Sequence, residues 1–101
     1  MDQPKRTRQV VVSNPQGLHA RPADAFARLA TRFSSKIEVV KDSERVDGKS
    51  ILSILTLAAM EGTKLSIEAT GDDAEEALEA LAALFTRNFA EENYMDQPPA
   101  S

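Results

Sequence analysis

The run Gly17-Leu18-His19-Ala20-Arg21-Pro22-Ala23 holds the single histidine of the chain, and there is no cysteine anywhere. The missing thiols exclude disulfides, thiolate nucleophiles, iron-sulfur clusters and cysteine zinc sites, and one histidine cannot build a transition-metal ligand cluster. No metal and no cofactor are expected. Attention falls on His19 itself. Proline fits a helix only in its first turn, where the missing N–H costs nothing, so Pro22 predicts a helix from about Pro22 onward with the proline in its first turn. His19 then stands at the helix N-terminus, where unpaired backbone N–H groups and the positive dipole end favour an anion. The dipole and Arg21 favour the neutral imidazole, which leaves a ring nitrogen free as a nucleophile. A phosphoryl group taken up by that nitrogen would meet the N–H groups and Arg21, while Gly17 lets a second backbone approach closely. These pieces suit reversible phosphoryl transfer; the plainer alternative is a surface or capping histidine.

A second informative stretch is Val46-Asp47-Gly48-Lys49-Ser50-Ile51-Leu52. Ser50 has the chemistry of a helix N-cap. A phosphate on it would lie at the favourable end of the helix dipole, so capping and modification are compatible. Ile51, Leu52, Ile54, Leu55 and Ala58 cover more than one helical stripe, so some of them are expected to face a partner instead of the core.

The elements that must position these residues follow from periodicity. Residues 6–13 are β-branched and run into the turn cluster Asn14-Pro15-Gln16-Gly17, predicting a strand and a loop. Ala23, Phe26, Ala27, Ala30 and Phe33 recur at helical spacing. Ile37–Val40 and a short partner around Arg45-Val46 predict a hairpin. A helix is expected after Ser50, stopping at Gly62. Leu65, Ile67 and Ala69 alternate with polar residues as a half-buried strand ended by Gly71. Asp72 or Asp73 is expected to cap a longer helix whose inner face carries Ala77, Leu78, Leu81, Leu84, Phe85 and Phe89. The order β-α-β-β-α-β-α implies an α+β fold with a largely antiparallel sheet covered on one face by helices. Residues 1–5 and 93–101 are expected to be flexible, leaving a domain over 6–92.

A chain of 101 residues with 42% hydrophobic content makes one domain. Its apolar runs are far shorter than the roughly 20 residues that span a bilayer. No apolar segment follows Lys5 and Arg6, so neither an export signal nor membrane insertion is expected, and the location reads as cytoplasmic. The net charge of −4 is unevenly spread. Four basic residues face one acid in residues 1–21, whereas nine acids face one arginine in residues 68–101. The His19 end is therefore the one suited to anions.

The segment Gly17–Ala23 resembles the active-site segment of the HPr family, the histidine-containing phosphocarriers of the bacterial phosphoenolpyruvate:sugar phosphotransferase system. Val46–Leu52, followed by Leu55, is similar to the family's regulatory serine region, and the likeness extends over about residues 6–90. Gln16 and Ser53 depart from the residues common at those places. The resemblance implies an open-faced β-sandwich with a four-stranded antiparallel sheet and three helices on one side. It implies that His19 is phosphorylated at Nδ1 by phospho-enzyme I, that Arg21 assists transfer to enzyme IIA, and that Ser50 is a target of HPr kinase/phosphorylase. It also implies docking at Ile51, Leu52 and Leu55; a small, transient interface is expected to include Ala20 and to be rimmed by Arg21, Arg28 and Lys49. The expected product is a transiently phosphorylated carrier, monomeric, rather than a turnover enzyme.

Three other readings compete. An RNA-recognition module shares much of the element order but needs stacking aromatics on its strands. All five aromatics fall on helical stripes or in the tail, and the chain is acidic, so no nucleic-acid partner is expected. A single histidine would allow a hydrolase's Ser-His-Asp set, but the chain has no Gly-x-Ser-x-Gly nucleophile elbow. A regulatory paralogue of the same fold, serving a nitrogen-linked phosphorelay or binding regulators, is the alternative that keeps His19 and Arg21.

Overall fold

The computed structural model describes residues 4–89. The element order is β1 (Lys5–Val11), α1 (Ala20–Ala30), β2 (Lys36–Lys41), β3 (Glu44–Asp47), α2 (Ile51–Leu55), β4 (Lys64–Thr70) and α3 (Ala74–Thr86). The strands form one antiparallel sheet in the order β1-β4-β2-β3. This is the α+β, open-faced arrangement of four antiparallel strands and three helices expected from the sequence. Lys5, assigned to a flexible start, already pairs with Thr70. The expected flexible residues 1–3 and 93–101, with Tyr94, lie outside the described residues.

Alternation along the strands decides which face is covered. Val10, Ile37, Val39, Leu65, Ile67 and Ala69 point one way and are buried. Ala23, Phe26, Ala27 and Ala30 of α1, Ile54 of α2, and Ala77, Leu78, Leu81 and Phe85 of α3 complete the same core. Phe26 and Phe85 meet edge to face with ring centroids 6.0 Å apart.

On the open face, Glu38 and Glu68 stand directly opposite each other on β2 and β4, a pairing that like charges disfavour. Arg45 on β3 resolves it by donating to Glu38 at 3.0 Å and to Glu68 as well. Lys5 reaches Glu68 at 3.1 Å. The Arg45 hydrogen bond, reinforced by Lys5, holds the Glu68 carboxyl below its ordinary range despite some desolvation.

The structure corrects four local expectations. Helix α2 ends at Leu55 instead of running to Gly62, because Ala58 takes a left-handed φ of 49° and the chain turns away. That turn lets Leu57 and Ala59 enter the core and presents the Ala59 carbonyl to Leu18. Helix α1 ends at Ala30, so Phe33 packs from the following turn, half-buried. Phe89 is not on α3. The helix ends at Thr86, and Asn88 and Phe89, with φ of 57° and 58°, fold the ring back against Phe85, 5.0 Å between centroids. Asp73 occupies the N-cap of α3 but makes no side-chain capping bond. Its carboxylate instead accepts from the backbone N–H groups of Ser34 and Ser35 at 2.9 and 3.0 Å and from both hydroxyls. These donors, chiefly the Ser35 hydroxyl, hold the carboxyl at about 2.

Candidate functional site

The loop between β1 and α1 is built around Gly17. Its N–H closes a turn on the Asn14 carbonyl at 2.9 Å, and its φ of +74° is a region that suits glycine. A Cβ here would come within 2.5 Å of the Ala59 carbonyl oxygen, so the sequence needs glycine for space as well as for φ. Leu18, buried, donates its N–H to that same oxygen at 2.9 Å. With Leu18 anchored inward, the next residue is thrown outward. His19 is exposed, in an extended conformation, at the N-cap of α1.

The His19 carbonyl accepts the first helical bond, from Ala23 N–H at 3.0 Å, but its imidazole makes no capping bond to the helix. Ala20 and Arg21 occupy the first two helical positions and Pro22 the third, so the first turn directs the N–H groups of Ala20 and Arg21 outward beside the imidazole. The arrangement offers a ring nitrogen, backbone donors, the positive end of an 11-residue helix and an arginine in one place. That combination is chemically suited to an anion.

The remaining candidates lie on α1 and on or just before α2. Ser50 caps α2, its Oγ accepting the Ser53 N–H at 3.2 Å, so the capping role is realised. Leu52 is 76% exposed, while Ile51 and Leu55 are half-buried against the core. Helices α1 and α2 pack side by side, which sets this apolar surface beside the helix that carries His19. The cationic rim is thinner than expected. Lys49 spends its ammonium on the Phe33 carbonyl at 2.8 Å, and Arg28 pairs with Asp24 one turn back at 3.1 Å. Arg28 also lies nine residues beyond His19, about 13 Å along the helix axis. Arg21 is the cation nearest to the histidine in the chain and is exposed.

Two residues at the site escape sequence reasoning. Met60 is 64% exposed, and its Cα lies 3.1 Å from where a Gly17 Cβ would stand, so it borders the histidine loop. It sits in an aperiodic turn, where no pattern marks it. Asn14, read as a turn residue, is buried and lines a shallow depression with Pro15, Gln16, His19 and Asn88. Among the described residues, no group of three or more histidine, cysteine, aspartate or glutamate side chains could hold a metal, and no helix is long and apolar enough to cross a membrane.

Known proteins share this architecture and this loop. A family model described as "PTS HPr component phosphorylation site" matches residues 6–87. The phosphocarrier protein HPr of Neisseria meningitidis serogroup A is 40% identical over 82 residues, covering 81% of this chain and 92% of that protein. The HPr-like protein Crh of Bacillus subtilis is 44% identical over 75 residues, 74% of this chain and 88% of Crh. The crystal structure of HPr-C-His from Thermoanaerobacter tengcongensis superimposes with a TM-score of 0.81 at 41% identity, covering 84% of this chain and 96% of that one. With the family model spanning β1 through α3, the chain belongs to the HPr family of phosphotransferase-system phosphocarrier proteins.

Proposed function

We propose that this chain carries phosphoryl groups on His19, taking them from phospho-enzyme I and passing them to enzyme IIA components of the sugar phosphotransferase system. The observation that carries the reading is the placement of His19. It is exposed at the N-cap of α1, with its imidazole uncommitted to the helix and the first-turn donors beside it. In the forward step the lone pair of one ring nitrogen forms the P–N bond while the bond from phosphorus to the donor breaks and its electron pair stays with the donor. Arg21 and the first-turn N–H groups stabilise the charge on the moving phosphoryl oxygens. Transfer to the acceptor reverses these roles. The chain ends each cycle unchanged, as a carrier that works as a monomer in the cytoplasm.

A carrier must release each partner, so its docking surface is small. The exposed Leu52 with Ile51, Leu55 and Ala20 supplies apolar contact, and Arg21 supplies the unlike charge toward an acidic partner. The test is incubation with phosphoenolpyruvate and enzyme I, followed by intact mass and acid lability.

A regulatory role is supported by two observations: the identity with Crh and the geometry at Ser50. A phosphate on Ser50, placed there by an HPr kinase/phosphorylase, would keep an acceptor for the Ser53 N–H and put a dianion beside the apolar surface. Phosphorylation of Ser50 by such a kinase, with His19 unreactive toward enzyme I, would favour the regulatory paralogue over the sugar carrier.

A further inference from the structure

The described chain buries two polar side chains, Ser35 and Asn14. Ser35 is fully employed by Asp73. Asn14 is only half employed. At 8% exposure, it donates its amide to the Asn88 carbonyl at 3.3 Å, while its Oδ1, sealed from water, accepts from no described residue. A fold that keeps a buried acceptor without a donor forgoes the solvation of that group and gains nothing from it locally. The Asn88 carbonyl can only accept, so it fixes the amide orientation: the NH2 turns toward α3 and Oδ1 turns away from it. Asn88 is itself held by Ser13, whose hydroxyl donates to Asn88 Oδ1 at 3.1 Å, in a left-handed turn with φ of 57°. The amide is thus aimed by one contact, to a carbonyl just beyond α3 whose residue is itself tied to Ser13.

Asn14 lines the same depression as His19. We infer that Asn14 is the positioning residue of His19: a turn of the exposed imidazole within this depression brings its N–H to Oδ1, which then accepts it and fixes which ring nitrogen keeps its lone pair. The inference rests on the phosphocarrier reading and names what orients that nucleophile. A neutral imidazole holds one N–H and one lone pair, and the partner of the N–H selects the tautomer. When the lone pair forms the P–N bond, the phosphorus-to-donor bond breaks toward the donor, the proton on the other nitrogen stays, and the ring gains positive character. The N–H···Oδ1 bond is then stronger in the phosphorylated ring than in the free one. Being neutral, Asn14 does this without repelling the phosphoryl oxygens that Arg21 and the helix end attract. Gln16 borders the depression too, but it is exposed, and holding its long side chain costs rotamer freedom.

His19 is the sole histidine, so its ring nitrogens give one unambiguous set of signals. The experiment records 15N shifts of the neutral ring in the uniformly labelled full chain for wild type, Asn14→Ala, Asn14→Asp and Gln16→Ala, and the initial rate of phosphorylation by enzyme I and phosphoenolpyruvate. Wild type and Gln16→Ala are expected to show one dominant tautomer, Asn14→Ala a mixture, and Asn14→Asp, which keeps an acceptor, a dominant tautomer again. The Asn14→Ala rate is expected to fall about fivefold, the weight of one neutral hydrogen bond. An even tautomer mixture in wild type overturns the inference without any variant, as do unchanged ring shifts in Asn14→Ala or altered ones in Gln16→Ala. The shifts need no enzyme I, so a wild-type chain that takes up no phosphate would overturn the carrier reading separately.

Discussion

Leu18 and Ala59, 41 positions apart, are joined by a backbone hydrogen bond of 2.9 Å from the Leu18 N–H to the Ala59 carbonyl. This bond ties the loop before α1 to the turn after α2, so the histidine and the apolar surface of α2 are held by one strut. Gly17 lies against the same oxygen, and Gly17→Ala brings both a clash and a strained φ. The expected cost is about 1–3 kcal/mol from the backbone alone, with slower phosphorylation of His19 because the loop must shift. Urea unfolding and initial rates check both; a variant as stable as wild type would show that the loop relaxes freely.

The Asp73 carboxyl titrates well below the ordinary carboxylate value of 3.8, at about 2, because the hydroxyl and N–H groups of Ser35 and Ser34 donate to its ionised form. A depressed folded value stabilises the fold above the unfolded value and loses that contribution as pH falls through the folded one. Wild-type stability is therefore expected to drop between about pH 4 and pH 2 by more than that of Asp73→Asn. Glu68, also depressed, titrates in both proteins, so the difference between the two curves isolates Asp73. Parallel curves would remove Asp73 from the account.

Ser50→Ala removes the α2 cap and is expected to cost about 1 kcal/mol. Ser50→Asp keeps a capping oxygen, so its stability should lie nearer wild type; the family resemblance implies an acidic docking face on enzyme I, so the added charge should slow phosphorylation, most at low salt. If Ser50→Asp receives phosphate as fast as wild type at low ionic strength, Ser50 is a cap and nothing more.

Leu52, 76% exposed, contributes little to the core. Leu52→Asp is expected to change stability by no more than about 0.5 kcal/mol and to weaken association with enzyme I roughly tenfold. Titration followed by NMR decides this; shift changes mapping to the open sheet face instead would relocate the docking surface.

What the sequence discloses here is local. Pro22 places the start of α1, and Leu65, Ile67 and Ala69 alternate as β4 alternates, because each signal is carried by neighbours along the chain. The misreadings are all nonlocal. Asp73 looks like a cap for its own helix, but four donors from Ser34 and Ser35, nearly forty residues earlier, compete for its carboxylate and win. Phe89 continues the α3 stripe on paper, yet the left-handed pair Asn88 and Phe89 ends the helix and still buries the ring. Lys49 looks like a surface cation until the Phe33 carbonyl is brought within reach. At the site, His19 and Arg21 are legible from their adjacency to Pro22, whereas the depression that Asn14 shares with His19 and Asn88, and the approach of Met60 to Gly17, exist only once distant segments meet.

The central claim is that His19 accepts the phosphoryl group. Wild type and His19→Ala are incubated with phosphoenolpyruvate and enzyme I, and intact masses are read before and after mild acid. Wild type is expected to gain a single phosphoryl group that acid removes, and His19→Ala, with an unchanged circular dichroism spectrum, to gain none. Acid-labile phosphate on His19→Ala, or none on wild type, would contradict the account.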